Sequence, residues 1–370
     1  MDGAPATTTE DAVPSHDWRR APDYRPRFPR GERLGIAILG CGEIAQKAHL
    51  PAYRDHDLDV VGVWSRTAAT TETVPERFPF VRRVYATGQE LLSDPDVQIV
   101  DIATRPEQRL EWLAAAVSAG KHVLAQKPLT TDLASLAPVL DEADRRGVRV
   151  AVNQNGRWAP AWRLATLLVN DGAVGDVVGV THLHDKPLPP IAGTAFDEMG
   201  HMLITDYLMH WIDITRCWLA GKQVGTVQAR DHRTPGQPGA AKNPWAATMQ
   251  IQCRDGAEAL VRVVGDVRTG RPACPFWIHG TEGTIRGSIL GGSDFVELER
   301  DGTPIRYPLD GEWFVDGFAG AMGELMCAIA EDREPYHSAA HNVPSLRLML
   351  AARDSAERDG AVVPAGQIEL

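Results

Sequence analysis

Leu34-Gly35-Ile36-Ala37-Ile38-Leu39-Gly40-Cys41-Gly42-Glu43-Ile44-Ala45 decides how the first half of this chain folds. Residues 34–39 are an apolar run of strand length, the glycine pair follows at once, and a helix-like stretch continues to about Arg54. Strand, glycine turn and helix in that order are the setting in which G-x-G-x-x-A acts as a dinucleotide fingerprint. Gly40 permits the tight turn. Gly42 has no Cβ, so a pyrophosphate can approach the backbone. Glu43 and Ile44 open the helix, whose first N–H groups face the phosphates, and Ala45 lets that helix pack close to the strand. An ordinary tight turn between strand and helix has the same look, so the rest of the chain must supply the parts a nicotinamide enzyme needs.

Outward from the turn, residues 34–153 alternate strand-like and helix-like stretches. Strands are predicted at 34–40, 59–64, 98–103, 121–125 and 148–152, with helices at 107–119 and 132–146 among the connections. Thr131 is the expected N-cap of the second helix and Gly147 its stop. Short alternation of this kind gives a parallel sheet covered on both faces, a doubly wound α/β domain. After residue 154 the pattern changes. A helix at 160–171, a strand near 176–184 and a long helix at about 200–220 lead into six strand-like segments between 224 and 299. Their Gly- and Asp-rich turns imply an open, mostly antiparallel sheet in an α+β second domain, expected over 154–342. The Pro-rich 235–244 stretch reads as a surface loop, and helices are expected at about 316–332 and 343–358. Residues 343–370 are expected to pack back on the first domain, and residues 1–33 read as an extended or disordered arm, either a solvated tail or one that Trp18, Tyr24 and Phe28 anchor in part on a neighbouring surface.

The 370 residues allow two domains and a large core. A net charge of −11 disfavours nucleic acid or an anionic membrane as the main partner. Five scattered cysteines with no Cys-x-x-Cys read as reduced thiols of a cytoplasmic protein. No membrane span and no secretory leader are expected.

Two groups carry chemistry. Lys127, in Ala125-Gln126-Lys127-Pro128, stands at the end of the fourth predicted strand, where ligands of open parallel sheets bind. A lysine beside a nicotinamide and an alcohol can lower the alcohol's pKa. Asp206, His210 and Asp213 are spaced to share one face of an otherwise apolar helix. His210 can move a proton near neutral pH, with Asp206 orienting it. A satisfied hydrogen-bond network or, with His201, a metal site would use the same residue types; no further ligand has good spacing, so no metal is expected.

These three motifs, Gly40-x-Gly42-x-x-Ala45, Lys127-Pro128 and Asp206-x-x-x-His210-x-x-Asp213, occur in the order found in the glucose–fructose oxidoreductase, inositol dehydrogenase and rhizopine-catabolism (Gfo/Idh/MocA) family, which the chain resembles over about residues 34–360. The resemblance implies a Rossmann domain followed by a domain with an open sheet, and NAD(P)-dependent oxidation or reduction of a sugar or cyclitol. It makes Lys127 the family's Glu-Lys-Pro lysine, His210 the acid/base and Asp206 the helix aspartate of the substrate pocket. Thr104 and Gln126 fall among the cofactor contacts, and Asp185 reaches the substrate. Three positions depart from the pattern: Gln126 stands for Glu, Leu208 for a glycine, and Arg109 for the His of a Thr-Pro-x-x-x-His stretch.

Cofactor choice turns on Trp64-Ser65-Arg66-Thr67, which ends the second predicted strand without an acid. Ser65 and Arg66 can bind a 2′-phosphate, which favours NADP(H) with NAD(H) possible; a solvated Arg66, or one stacked on adenine, leaves the choice open. Arg157 and Trp158 are expected to bind hydroxyls and cover a sugar face, and Trp313 is a pocket candidate or core. An enzyme that retains NAD for transient oxidation during hydrolysis or elimination, and a non-catalytic nucleotide sensor, are the alternative readings. In the predicted 257–264 strand, Leu260 and Val264 share a face with Glu258 and Arg262. That mixed face and the resemblance point to a homodimer or homotetramer built on the sheet, with the N-terminal arm a candidate to reach across.

Overall fold

The computed structural model describes residues 17–31, 33–188, 191–266, 272–366, 368 and 370. The remainder of the expected arm, residues 1–16 and 32, lies outside the described residues.

The first domain is a parallel sheet of β1 (Ile36–Leu39), β2 (Val60–Trp64), β3 (Arg83–Val84), β4 (Ile99–Ile102), β5 (His122–Gln126) and β6 (Val150–Asn153). The strand order is β3-β2-β1-β4-β5-β6, the doubly wound order with its switch point between β1 and β4. β1, β2, β4, β5 and β6 are rich in apolar residues and largely buried on both faces, as a covered parallel sheet demands, while the two-residue edge strand β3 is exposed. The connections carry α1 (Leu50–Asp55), α2 (Val74–Arg77), α3 (Gly88–Ser93), α4 (Pro106–Ser118) and α5 (Leu133–Arg146). α5 starts one residue later than the Thr131 cap implies: the Asp132 carboxylate accepts from Ser135 N–H at 3.1 Å. It stops as expected at Gly147, which is left-handed with φ 65°.

The second domain begins with α6 (Pro160–Asn170), β7 (Val177–Asp185) and α7 (Met209–Trp218), followed by β8 (Val224–His232), β9 (Ala246–Cys253), β10 (Glu258–Val264), β11 (Pro275–Gly280), β12 (Gly283–Ser288), β13 (Phe295–Arg300) and β14 (Thr303–Tyr307). After α8 (Phe318–Ala330) and α9 (Ala339–Glu357), a short β15 (Val363–Pro364) completes a nine-stranded sheet in the order β14-β13-β12-β11-β7-β10-β9-β8-β15. Only the β7–β10 pair is parallel. Two strands exceed the six expected after 224, β14 and β15, because each is short and carries a proline.

The two closing helices divide differently from the expectation: α8 packs in the first domain, and α9 packs mainly in the second while also touching α5 and β6 of the first. α8 buries Phe318, Met322 and Leu325 in the core of the first domain, with Ile36, Ile38 and Tyr53. α9 packs in the second domain, where Ser345 meets Arg216 and Ser355 accepts and donates at the β8 backbone. Apolar side chains on both faces of α8 are what allow a helix from late in the chain to close an early sheet. Trp313–Ala330 has the length and hydropathy of a membrane-crossing segment, yet 61% of it is buried within the protein. The described part of the arm also joins the domains. Its Trp18 carbonyl accepts from Tyr307 Oη at 2.6 Å, Tyr24 Oη accepts from Asp310 N–H at 2.8 Å, and Phe28 lies 5.1 Å from the His56 ring. It packs on its own chain.

At the domain boundary Arg157 and Asp213 form a buried pair, Nε–Oδ2 2.6 Å and Nη2–Oδ1 2.8 Å. Nη1 of Arg157 donates to the Tyr336 carbonyl at 2.6 Å, and Asp213 Oδ1 also accepts from Ser345 Oγ and Asn342 Nδ2. Burial pushes the Asp213 carboxyl up, but the Arg157 charge and its hydrogen bonds outweigh this and hold it below the usual carboxylate range. Arg157→Leu, which leaves Asp213 charged and unpaired, is expected to cost about 3–5 kcal/mol of unfolding free energy in urea denaturation. Because the Asp213 pKa is depressed by folding, that contribution is present above about pH 4 and is lost as pH falls below it; a wild-type protein whose stability over the variant does not shrink on acidification contradicts the assignment.

Candidate active site

The glycine turn is built as the fingerprint requires. Gly40 has φ 101°, and a Cβ there would stand 2.9 Å from Ala103 C and Thr104 N at the end of β4. The N–H groups of Gly40 and Cys41 donate to the Trp64 carbonyl at 2.8 and 3.3 Å, which ties the turn to the end of β2. A Cβ on Gly42 would meet no atom within 4 Å, so the space over this turn is open to a pyrophosphate. Thr104 Oγ1, nearby, is buried without a protein partner. These residues fit a nicotinamide dinucleotide. Glu43 is exposed and pairs with Lys47, Ile44 is partly exposed, and Ala45 is buried. Ser65 is half-buried and Arg66 exposed just beyond β2. The Cys41 thiol, pushed up to about 12 by burial and then by Asp101, is inert at neutral pH.

Lys127 leaves the end of β5 and crosses to the second domain. Its Nζ lies 2.9 Å from the Asp206 carbonyl and 3.1 Å from Asp206 Oδ2, and both side chains are largely buried. Arg109, the departure from the family's His, is buried behind it. It donates to the Thr104 carbonyl at 2.5 Å and to the Pro128 carbonyl, bracing the ends of β4 and β5. Burial lowers its pKa to about 10, and the Asp206 charge opposes the drop, so it stays cationic.

The spacing of Asp206, His210 and Asp213 predicted one continuous helical face; the helix is not continuous. Leu203–Tyr207 is a wide π-type turn, closed by Leu208 N–H to the Leu203 carbonyl at 2.8 Å, and α7 starts only at Met209. The extra residue per turn splits the three groups. Asp206 pairs with Lys127 instead of orienting His210. Asp213 pairs with Arg157. His210 packs edge-on against Trp313 at 5.4 Å, with Nδ1 buried and without a protein partner. Burial first, then the Lys127 charge, hold its pKa well below the usual value, so the imidazole is neutral near pH 7.

The expected substrate residues are placed differently. The Arg157 guanidinium is spent on Asp213, Tyr336 and His341 and has no fork left for hydroxyls. Trp158 is buried against His337, and a Cβ on Gly320 would stand 2.4 Å from it, so it fills core and cannot cover a sugar. Asp185 points to the outer face of the sheet, where it pairs with Arg262 at 2.8 Å. Its neighbour His184 points inward, with Nε2 2.8 Å from Tyr207 Oη and its ring 5.4 Å from Trp211. Period-2 alternation along β7 separates the two residues and could have found this. Trp313 does edge the site, its Nε1 donating to Asn155 Oδ1 at 2.7 Å. His201 pairs with Asp231 at 3.0 Å. The 235–244 loop is partly buried: Asn243 Oδ1 accepts from Met202 N–H at the start of the wide turn. Among the described residues, no three His, Cys, Asp or Glu side chains come together as a metal-binding group.

This arrangement is that of a Rossmann-fold oxidoreductase, and comparison with known proteins agrees. Residues 34–154 match the oxidoreductase family with an NAD-binding Rossmann fold, and residues 162–286 match the GFO/IDH/MocA C-terminal domain. The chain belongs to the Gfo/Idh/MocA family. It is 25% identical over 353 residues to a D-apiose dehydrogenase from Paraburkholderia graminis, covering 91% of each chain. It is 26% identical over 254 residues to an inositol 2-dehydrogenase from Gluconacetobacter diazotrophicus, 63% of this chain and 72% of that one. Two uncharacterized oxidoreductases match over only 40% of their length. A crystal structure of an oxidoreductase from Agrobacterium radiobacter in complex with NAD+, L-tartaric acid and magnesium shares the fold, with a TM-score of 0.79 and 22% identity over 90% of this chain and 99% of that one.

Proposed function

We propose that this chain is a cytoplasmic NAD(P)-dependent oxidoreductase that moves a hydride between the nicotinamide and a ring carbon of a sugar, sugar derivative or cyclitol. The observation that carries this reading is the meeting of Lys127 and Asp206, from different domains, next to a neutral His210 at the strand ends of the Rossmann sheet. The relatives' names support a polyhydroxylated substrate. The nicotinamide, when bound, supplies or takes up the hydride. His210 takes the hydroxyl proton during oxidation and returns it during reduction. Lys127, its ammonium held by Asp206, stabilises the oxygen as charge develops on it. Tyr207, half-buried one residue after Asp206 and held by His184 at 2.8 Å, offers its hydroxyl for a substrate hydroxyl.

A screen of sugars and cyclitols with both nicotinamides identifies the substrate. Lys127→Ala and His210→Ala are then each expected to lower kcat by about 10²-fold or more, with little change in cofactor affinity; near-wild-type turnover in either removes the assignment. Since burial and Lys127 keep His210 neutral, oxidation should stay level as pH falls through 6.5, where an unperturbed histidine would already be losing its base form.

NADP(H) is the proposed cofactor, on the exposed Arg66 and adjacent Ser65 and the absence of an acid at the end of β2. Arg66→Ala should weaken NADPH binding selectively in a fluorescence titration. Tighter NADH than NADPH binding by the unmodified protein overturns the preference.

The outer face of the second sheet supports a homodimer or homotetramer. Val178 and Leu260 are 45% and 42% exposed there, and Leu183, Val264 and Trp277 are half-covered around the Arg262–Asp185 pair. Light scattering at micromolar concentration should give a multiple of 40.3 kDa, and a mass of 40.3 kDa refutes it.

A further inference from the structure

Behind the Lys127 strand end lies a buried polar chain that the chemistry above does not use. Asp101 in β4 is completely buried, and so are His49 and Tyr53. Asp101 Oδ2 lies 2.5 Å from His49 Nδ1 and accepts from Tyr53 Oη at 2.6 Å. His49 Nε2 is 2.9 Å from Gln126 Nε2, and Gln126 Oε1 accepts from the Lys127 backbone N–H at 3.0 Å. The Phe318 ring closes on His49 at 4.8 Å.

These partners determine the protons. The Lys127 N–H can only donate, so the Gln126 amide turns its oxygen to Lys127 and its NH2 to His49. His49 Nε2 must then accept, so the ring carries its proton on Nδ1 and donates it to Asp101. Donation runs in one sense, from the Lys127 backbone N–H through Gln126 and His49 to the buried Asp101 carboxylate. A carboxylate removed from water is costly, and similar-sized apolar groups would pack this space without that cost. What the polar chain adds is a single orientation for the Gln126 amide. It also gives the Gln126 departure a reason: the amide supplies His49 with an N–H that a carboxylate at 126 lacks.

We propose that Asp101, Tyr53 and His49 form a positioning relay for Lys127, holding the Gln126 amide so that it clamps the Lys127 backbone and aims its ammonium at Asp206. The proposal rests on Lys127 as the reactive-site lysine. Tyr53 and His49 are positioning residues and touch neither substrate nor cofactor.

The test reads Lys127 itself in the full-length protein. Acetic anhydride at limiting concentration labels amines, and mass spectrometry gives the rate at Lys127 relative to the exposed Lys47. His49→Leu and Gln126→Leu should each speed Lys127 labelling by about tenfold, and the double variant no further, because both break one chain. His49→Gln, which can still donate to Asp101 and accept from Gln126, should restore slow labelling, a rescue that packing alone would not produce. NADPH affinity should stay within about twofold of wild type in His49→Leu and His49→Gln, since neither removes an expected cofactor contact. Unchanged labelling in folded His49→Leu, or additive effects in the double variant, overturns the proposal. If the leucine variants do not fold, ¹⁵N spectra of the wild-type histidines decide: a Nδ1-protonated His49 supports the relay, and a Nε2-protonated ring refutes it. Because labelling does not depend on turnover, an active Lys127→Ala would defeat the catalytic reading while leaving this result separately legible.

Discussion

The buried Arg157–Asp213 pair is the constraint around which the site is arranged. Arg157 follows β6 at the exit from the Rossmann sheet, Asp213 lies in α7, and Asn342 and Ser345 come from α9. One desolvated carboxylate thus fixes the domain crossover, the helix that carries His210 and the helix that backs it. Its desolvation is offset only while all these donors stay in place, so α7 has one position relative to the ends of β5 and β6. The geometry at Lys127 inherits its accuracy from that pair.

Three wide helical turns border the cleft: Ala45–His49 after the glycine turn, Leu203–Tyr207 with Asp206, and Trp313–Gly317 with Trp313. A π-type turn has looser packing along its axis and poorer hydrogen bonding than an α-helix, and it persists where tertiary contacts hold it. Here the contacts are explicit. His49 joins Asp101, Asp206 joins Lys127, and Trp313 joins Asn155 and the His210 ring. Each turn rotates a functional side chain off the face that regular helical spacing would give it.

The domains are also interlaced rather than merely joined. α8, from late in the chain, completes the core of the first domain, while the arm from its start packs beside β14 and then against α1 and α8. With these crossings and the Lys127–Asp206 pair, the cleft has two walls held from several directions. An aromatic group behind His210, in which Trp313, Trp162 and Trp211 lie 5.0–5.8 Å apart, adds a stiff, well-filled floor.

By itself the sequence determined what local rules reach: the doubly wound order of strands, the glycine turn, the stop of α5 at Gly147, the tight-turned second sheet, and Lys127 at a strand end. These follow from periodicity, backbone freedom at glycine and connection length, which act over a few residues. The family was legible in the same way, from three motifs in order. Partner choice was decided only by the tertiary structure. Regular spacing put Asp206 and Asp213 beside His210, but burial assigned one to Lys127 and the other to Arg157. Arg157 and Trp158 looked like substrate residues and became core, while His184, which no motif marked, came to lie against Tyr207 and Trp211. A charged or aromatic side chain is committed to whichever group, distant in sequence, best offsets its loss of water, and that competition is settled only when the whole chain has packed.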